Sequence, residues 1–139
     1  MQLQATVEEI NNVKKQHWYA KFRCLFMKLS RQAYNTPDGG TYGESRPLIL
    51  LKLYFFLVKN FDLNSTSVFA DIGAGIAKVL LFFCQMDNCP TRLIGYELSE
   101  VRVKIAAIAI EELKKMHLKF EGVQVLCTDG LRLQSLVIL

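Results

Sequence analysis

The segment Asp71–Lys78, with the sequence DIGAGIAK, constrains the fold more than any other part of the chain. It follows the apolar run 68–70 and leads into a second apolar run, 79–83. An apolar run, a glycine-rich turn and another apolar run predict a strand, a tight loop and a helix, the unit that holds nucleotide-like ligands in parallel α/β proteins. The segment therefore predicts an α/β fold with a ligand site at this loop.

The acidic residue in front of the glycines favours one class of ligand. A loop built for a dinucleotide directs backbone N–H groups and a helix N-terminus at a diphosphate, which a carboxylate at Asp71 would repel. The dinucleotide fingerprint also requires a third glycine three residues after Gly75, where this chain has Lys78. A cofactor that carries an ammonium group and no phosphate, such as S-adenosylmethionine, suits this loop better.

Two further acidic residues fall at distances that fit the same site. Glu97 ends the predicted second strand, 22 residues after Gly75, where an acid can accept hydrogen bonds from both ribose hydroxyls. Asp129 follows the predicted third strand, in a position to bind an adenine amino group. Each acid also has a structural interpretation: Asp71 as a helix cap, Asp129 as a turn residue, Glu97 as a solvated residue before a helix capped by Ser99. The three together favour a cofactor site at the carboxyl edge of a parallel sheet.

The length and composition allow one domain with a hydrophobic core, since 51% of the 139 residues are hydrophobic. The most apolar run, 48–58, is interrupted by Lys52 and is too short to span a bilayer, so we expect a buried helix and no membrane partner. The cysteines form no CxxC pair, which argues against a zinc site and predicts reduced, mostly buried thiols. They are Cys24, Cys84, Cys89 and Cys127.

The N-terminal segment mixes basic and aromatic residues. Exposed together, they would suit an acidic surface such as nucleic acid or a nucleosome. An amphipathic helix would instead bury the aromatic side chains and solvate the basic ones, and we favour this interpretation. The basic residues are Lys14, Lys15, Lys21, Arg23, Lys28 and Arg31, and the aromatic ones are Trp18, Tyr19, Phe22 and Phe26.

Helices alternate with strands along the chain, which implies right-handed crossovers and a parallel sheet. The apolar end of the sequence is typical of a strand that is only beginning, so we expect a chain truncated after the start of its fourth strand. We expect residues 1–40 to form an N-terminal helical segment and loop, and residues 41–139 the cofactor-binding half of a domain. The predicted helices are 7–32, 47–60, 77–86 and 100–117, and the predicted strands are 68–70, 93–97, 123–128 and 136–139.

The glycine-rich loop, Glu97 and Asp129 together resemble the class I S-adenosylmethionine-dependent methyltransferases. The segment 41–45, TYGES, precedes an apolar helix, and its Glu44 lies 27 residues before Asp71. This succession is similar to that of the disruptor-of-telomeric-silencing family, the non-SET histone-lysine methyltransferases that modify the globular core of a nucleosomal histone. The resemblance covers residues 41–129. It implies a Rossmann-like parallel sheet with helices on both faces, S-adenosylmethionine as cofactor, a histone or nucleosome as substrate, and a nuclear location.

The resemblance also implies a role for each matching residue. The TYGES segment would close over the methionine end of the cofactor, and Asp71 would hold its amino-acid portion. The glycines would let the backbone approach closely, Glu97 would bind the ribose, and Asp129 would bind the adenine amino group. The candidate cofactor-binding residues are Tyr42, Glu44, Ser45, Asp71, Gly73, Ala74, Gly75, Ala77, Lys78, Glu97 and Asp129.

The chain departs from the family at three places. Ala77 stands where the family commonly has glycine, and Gly130 stands where it has an aromatic residue that stacks on the cofactor. The asparagine-containing stretch that helps to form the family's lysine channel would lie beyond Leu139. No residue is identified as a general base, because His17 and His117 fall in helical patterns away from the predicted crevice.

Other functions stay open beside a histone-lysine methyltransferase. The alternatives are a methyltransferase for another protein or a small molecule, and a cofactor-binding fragment without catalytic activity. A nicotinamide-dependent oxidoreductase is disfavoured by Asp71 and Lys78.

Overall fold

A three-stranded parallel sheet forms the centre of the molecule. The computed structural model describes residues 5–34 and 46–129. Within them the strands are β1 (Val68–Ile72), β2 (Arg92–Glu97) and β3 (Val123–Cys127), hydrogen-bonded in the order β1-β2-β3. The register pairs Asp71 with Gly95 and Glu97 with Cys127. The three predicted strands within the described residues are therefore confirmed, and the predicted strand 136–139 lies outside the described residues.

Two crossover helices connect the strands, α4 (Lys78–Gln85) from β1 to β2 and α5 (Glu100–Lys115) from β2 to β3. Since both connections run the same way across the sheet, right-handed crossovers place both helices on one face. On that face Leu93 is fully buried in the core cluster. The sequence predicts helices on both faces of the sheet. The described residues place the two crossover helices on one face. The parallel α/β class itself is confirmed.

The opposite face of the sheet is largely open within the described part of the chain. Side chains alternate between faces along a strand. Val68 and Ile72 of β1 and Leu126 of β3 point away from α4 and α5, and all three are exposed. These three side chains give this face of the described sheet an apolar surface.

The N-terminal segment forms two helices, α1 (Val7–Lys14) and α2 (His17–Tyr34), instead of the one predicted helix. The amide of Gln16 donates to the carbonyl of Val13, which tightens the last turn and ends α1. Val13 and Trp18 are both buried. On one continuous helix, residues five apart would point about 140° away from each other, so the break lets both reach the core.

Aromatic packing attaches α2 to the crossover helix α4. The Phe82 ring lies with its centroid 5.3 Å from that of Trp18 and 5.5 Å from that of Phe22, in edge-to-face geometry. Phe22 and Phe82 are fully buried, while the basic side chains of α2 are exposed. The amphipathic interpretation of this segment is therefore confirmed.

The remaining helix, α3, spans Pro47–Phe61, with the proline in its first turn as predicted. The bounds of α3, α4 and α5 agree with the predictions to within two residues. No helix in the described ranges is long and apolar enough to cross a membrane. The expectation of mostly buried cysteines is wrong for Cys24 and Cys127, which are exposed. Cys24 lines an open groove between α2 and the end of α5, and Cys127 ends β3, an outer strand of the described sheet.

Candidate cofactor-binding site

The glycine-rich loop joins β1 to α4 at the carboxyl edge of the sheet. Gly73 and Gly75 adopt positive φ angles of 77° and 60°. The amides of Gly73 and Ala74 both donate to the carbonyl oxygen of Tyr96, at 2.7 and 3.0 Å. These bonds fix the loop against the end of β2, and the positive φ angles explain why the turn uses glycine.

Glu97 completes the anchoring of the loop. Its Oε1 accepts a hydrogen bond from the amide of Gly75 at 2.9 Å, and its Oε2 accepts one from the amide of Ser99 at 2.8 Å. The side chain is buried. Ser99 in turn accepts a hydrogen bond from the amide of Arg102 at 3.1 Å and so caps α5, as the sequence predicts. One carboxylate therefore joins the loop to the start of the next helix, a contact that the sequence did not predict.

The amides of the loop are directed into the protein. Those of Gly73, Ala74 and Gly75 all donate to Tyr96 or Glu97. A diphosphate is bound by amides that point out of such a turn towards the ligand. The loop therefore lacks, at these three positions, the donors that a dinucleotide requires.

Asp71 lies in β1 two residues before the first glycine and is partly buried. Burial raises its pKa to about 6, with a smaller contribution from the negative charge of Glu97. Two carboxylates thus lie close enough on adjacent strand ends to repel each other. A cation placed between them and the loop would relieve that repulsion.

There is open space beside Gly73, which is exposed. A side chain placed on Gly73 would meet no atom within 4 Å. Gly95, on the neighbouring strand, is different: a Cβ there would lie 2.7 Å from the Cβ of Ala74 and 2.9 Å from Cδ1 of Leu80. The absence of a side chain at Gly95 lets the loop and α4 lie directly on β2. Gly95 is not among the predicted site residues, although an isolated glycine in a strand is a known sign of close backbone approach.

Ala77 and Lys78 link the loop to α4. Ala77 has a φ of 66° and occupies the N-cap position without a side-chain capping bond. Glycine adopts this conformation without strain, so the difference from the family at Ala77 has a conformational consequence. Lys78 is buried as the first residue of α4, and it lines a cavity of about 550 Å³ beside α2.

That cavity, which we call the basic cavity, is rich in positive charge. Tyr19 and Phe26 of α2 contribute aromatic surface to it, and no acidic residue is among the described residues that line it. Its basic side chains are Lys14, Arg23, Arg31, Arg46 and Lys78.

The third predicted acid lies at the same edge of the sheet as the other two. Asp129 follows Thr128, whose amide donates to the carbonyl oxygen of Glu97 at 3.0 Å. The structure thus places Asp71, Glu97 and Asp129 at the carboxyl ends of adjacent strands. The other predicted site residues, Tyr42, Glu44 and Ser45, lie outside the described residues.

Two solved structures align with most of this chain at low sequence identity. The crystal structure of the 4+2 cyclase SpnF aligns with 82% of this chain and 43% of that chain at 19% identity, with a TM-score of 0.49. A Pyrococcus horikoshii protein proposed to be an RNA methyltransferase aligns with 78% of this chain and 52% of that chain at 17% identity, with a TM-score of 0.48. The chain therefore spans about half the length of these two proteins.

Two further comparisons, with curated proteins and with protein families, give different results. No curated protein matches the chain closely enough to count as a relative. The family described as histone methylation protein DOT1 matches residues 26–132, which include the glycine-rich loop and all three acids of the crevice. Since this match covers more than half of the sequence, the chain belongs to the DOT1 family of histone methylation proteins.

Proposed function

We propose that the chain binds S-adenosylmethionine at the carboxyl edge of its sheet. We propose further that it forms the cofactor-binding half of a histone-lysine methyltransferase that acts on nucleosomes in the nucleus. The observation that carries the cofactor proposal is the electrostatic character of the glycine-rich loop. Its amides are directed to protein acceptors, while the carboxylates of Asp71 and Glu97 lie near enough to each other beside it to repel. This arrangement suits a cationic ligand and disfavours a phosphate.

Each acid is proposed to contact a different part of the cofactor. Asp71 would pair with the ammonium group of the methionine portion, and Gly73 would leave room for it. Each oxygen of Glu97 accepts one backbone amide and has a second lone pair for a ribose hydroxyl. Asp129 would accept from the adenine amino group, and the TYGES segment would cover the methionine end.

The chemistry would consist of methyl transfer to a neutral amine. When bound, S-adenosylmethionine would supply a methyl group from its positively charged sulfur, and the sulfur would leave as a neutral thioether. The residues of the chain would contribute by orienting the reactants and by excluding water, which favours the uncharged amine. His17 and His117 do not take part in the crevice, since both line another cavity beside Gln85, at the opposite end of α4.

The nucleosome proposal rests on the DOT1 family match and is supported by charge. The formal net charge is +4, and the basic side chains of α2 are exposed beside the basic cavity. Such a surface suits the phosphates of nucleosomal DNA, and the affinity is expected to fall steeply with salt. Two alternatives are a methyltransferase with another acceptor and a cofactor-binding fragment without activity. The assays below give different results for these alternatives and for the proposed function.

Calorimetry distinguishes the cofactor classes. Titration of the folded chain with S-adenosylhomocysteine should give a saturable binding heat, and titration with NAD should give none. Binding of NAD in preference to S-adenosylhomocysteine would contradict the cofactor proposal, as would the absence of binding to a chain that circular dichroism shows to be folded.

A methyl-transfer assay tests the acceptor. With labelled S-adenosylmethionine, a form of the protein that includes the acceptor half should label nucleosomes more strongly than free histones. Labelling of a different acceptor, without labelling of histones or nucleosomes, would support a methyltransferase for another protein or a small molecule. Cofactor binding without transfer to any acceptor would identify a binding fragment.

A further inference from the structure

The basic cavity follows one face of α2 for most of the length of that helix. Its lining residues on α2 run from Tyr19 to Tyr34 and recur with helical spacing. At about 1.5 Å of rise per residue, this face is about 22 Å long. The start of α3, at Pro47 and Leu48, lines another part of the cavity. A lining of this length suits a peptide segment better than a small molecule.

Several large apolar side chains that line the basic cavity are exposed. Met27 is 59% exposed, Tyr34 is 57% exposed and Leu48 is 39% exposed. Tyr19 and Phe26 also line the cavity, but both are buried. Exposed apolar surface that is bordered by polar groups is typical of a site where another protein binds.

The charges beside these apolar side chains are all positive within the described lining. Lys14, Arg23 and Arg46 are exposed to solvent. The guanidinium carbon of Arg23 lies 6.0 Å from the ring centroid of Tyr19, so one of the charges lies directly beside the aromatic lining. Charge complementarity therefore favours a partner that carries carboxylates or phosphates.

The apolar lining distinguishes between these two kinds of partner. The phosphates of duplex DNA would contact the basic side chains and leave Met27 and Leu48 without an apolar neighbour. A single strand binds by stacking its bases on exposed aromatic rings, and Tyr34 is the only exposed ring among the described residues that line the cavity. A peptide with both carboxylates and apolar side chains would match the two parts of the lining.

We propose that the basic cavity binds an acidic, amphipathic segment of a partner protein. The apolar side chains of that segment pack against Met27 and Leu48, and its carboxylates pair with exposed cations such as Arg23. Lys21 and Lys28 line a different groove, between α2 and the end of α5. They take no part in this contact and remain available for the nucleosomal DNA of the proposed function.

Fluorescence anisotropy with designed peptides tests the chemistry of the partner. One labelled peptide contains glutamate and leucine in the spacing of an amphipathic helix, and its control has every leucine replaced by serine. The glutamate–leucine peptide should bind saturably, and the glutamate–serine peptide should bind at least about tenfold more weakly, because it lacks the apolar contacts. Equal affinities for the two peptides, or no binding to a chain that circular dichroism shows to be folded, would overturn the proposal.

Matched variants test where the peptide binds. Arg23→Gln and Met27→Ser should each weaken binding of the glutamate–leucine peptide by about three- to tenfold, and both residues are exposed, so the fold should be kept. Lys21→Gln removes a charge from the same helix but outside the basic cavity, and it should change the affinity by less than about twofold. Equal effects of Arg23→Gln and Lys21→Gln would show a response to overall charge alone and would overturn the proposal.

Nucleic acid is the rival occupant of the basic cavity. Binding of a duplex and of a single-stranded oligonucleotide is measured with the same variants. Met27→Ser should leave both affinities unchanged, since phosphates make no use of an apolar side chain. Oligonucleotide binding that falls with Met27→Ser as much as peptide binding does would assign the cavity to nucleic acid and overturn the proposal. These measurements need no cofactor, so their outcome is separate from that of the proposed function.

Discussion

The ionisation of Asp71 links the stability of the molecule to its proposed function. Because its pKa is raised to about 6 by burial and then by Glu97, folding favours the protonated form. Its contribution to stability is therefore fully present below the unfolded pKa of about 4 and is lost as the pH rises through about 6. The proposed cofactor needs the ionised form of Asp71, and ionisation of Asp71 lowers the stability of the fold.

Replacing Asp71 by Asn should remove this dependence. The free energy of unfolding of Asp71→Asn minus that of the parent protein should be larger at pH 7 than at pH 4, by on the order of 1–3 kcal/mol. Denaturant titrations of both proteins at the two pH values measure this, and calorimetry should show weaker binding of S-adenosylhomocysteine in the variant. Asp62→Asn, which removes an exposed carboxylate at the left-handed C-cap of α3, is the matched control for the loss of a charge. A pH-independent effect of Asp71→Asn would contradict the electrostatic explanation.

Gly95 tests whether close packing positions the loop. Gly95→Ala introduces a methyl group 2.7 Å from the Cβ of Ala74, so it should lower the free energy of unfolding by about 1–3 kcal/mol. The double variant Gly95→Ala, Ala74→Gly removes that contact and should recover part of the loss. Thermal unfolding of the two single variants and the double variant gives the coupling energy. If the free-energy changes of the two single variants add up exactly to that of the double variant, the two residues do not restrict each other. That result would contradict the packing explanation.

At the scale of secondary structure, the contact between α2 and α4 depends on Phe82. Its ring contacts Trp18, Tyr19 and Phe22 and is fully buried. Phe82→Ala should therefore destabilise the protein by about 3–5 kcal/mol. The chain contains one tryptophan, so a shift of its fluorescence towards that of solvated Trp18 would report loosening of α2 directly.

Phe61 provides the comparison for Phe82. It ends α3 and is 65% exposed, so Phe61→Ala should cost less than about 1 kcal/mol and leave the Trp18 emission unchanged. Equal losses for Phe82→Ala and Phe61→Ala would contradict the role given to the aromatic contact.

At the scale of the whole molecule, the sequence predicted the local units well. The glycine turn between apolar runs, the proline in the first turn of α3 and the Ser99 cap are each determined by neighbouring residues. The break between α1 and α2 was not predicted, because it depends on Val13 and Trp18 both reaching a core made by distant segments.

The geometry of the site was only partly predictable for the same reason. The positions of Asp71, Glu97 and Asp129 on one sheet edge follow from a parallel topology. Glu97 accepts hydrogen bonds from two backbone amides, and Gly95 permits a close contact between β2 and the loop. These interactions depend on side-chain geometry and on contacts between separate segments, which no short-range sequence pattern encodes. The cofactor roles of these residues remain predictions for the binding experiments above.

The face of the sheet opposite α4 and α5, which the described residues leave open, has a practical consequence for handling the protein. Val68, Ile72 and Leu126 offer apolar surface to any neighbour, including another copy, a purification resin or the air–water interface. Losses on concentration are therefore to be expected from a chain that is correctly folded. Turbidity or adsorption during preparation should accordingly be treated as a property of this surface before it is attributed to misfolding.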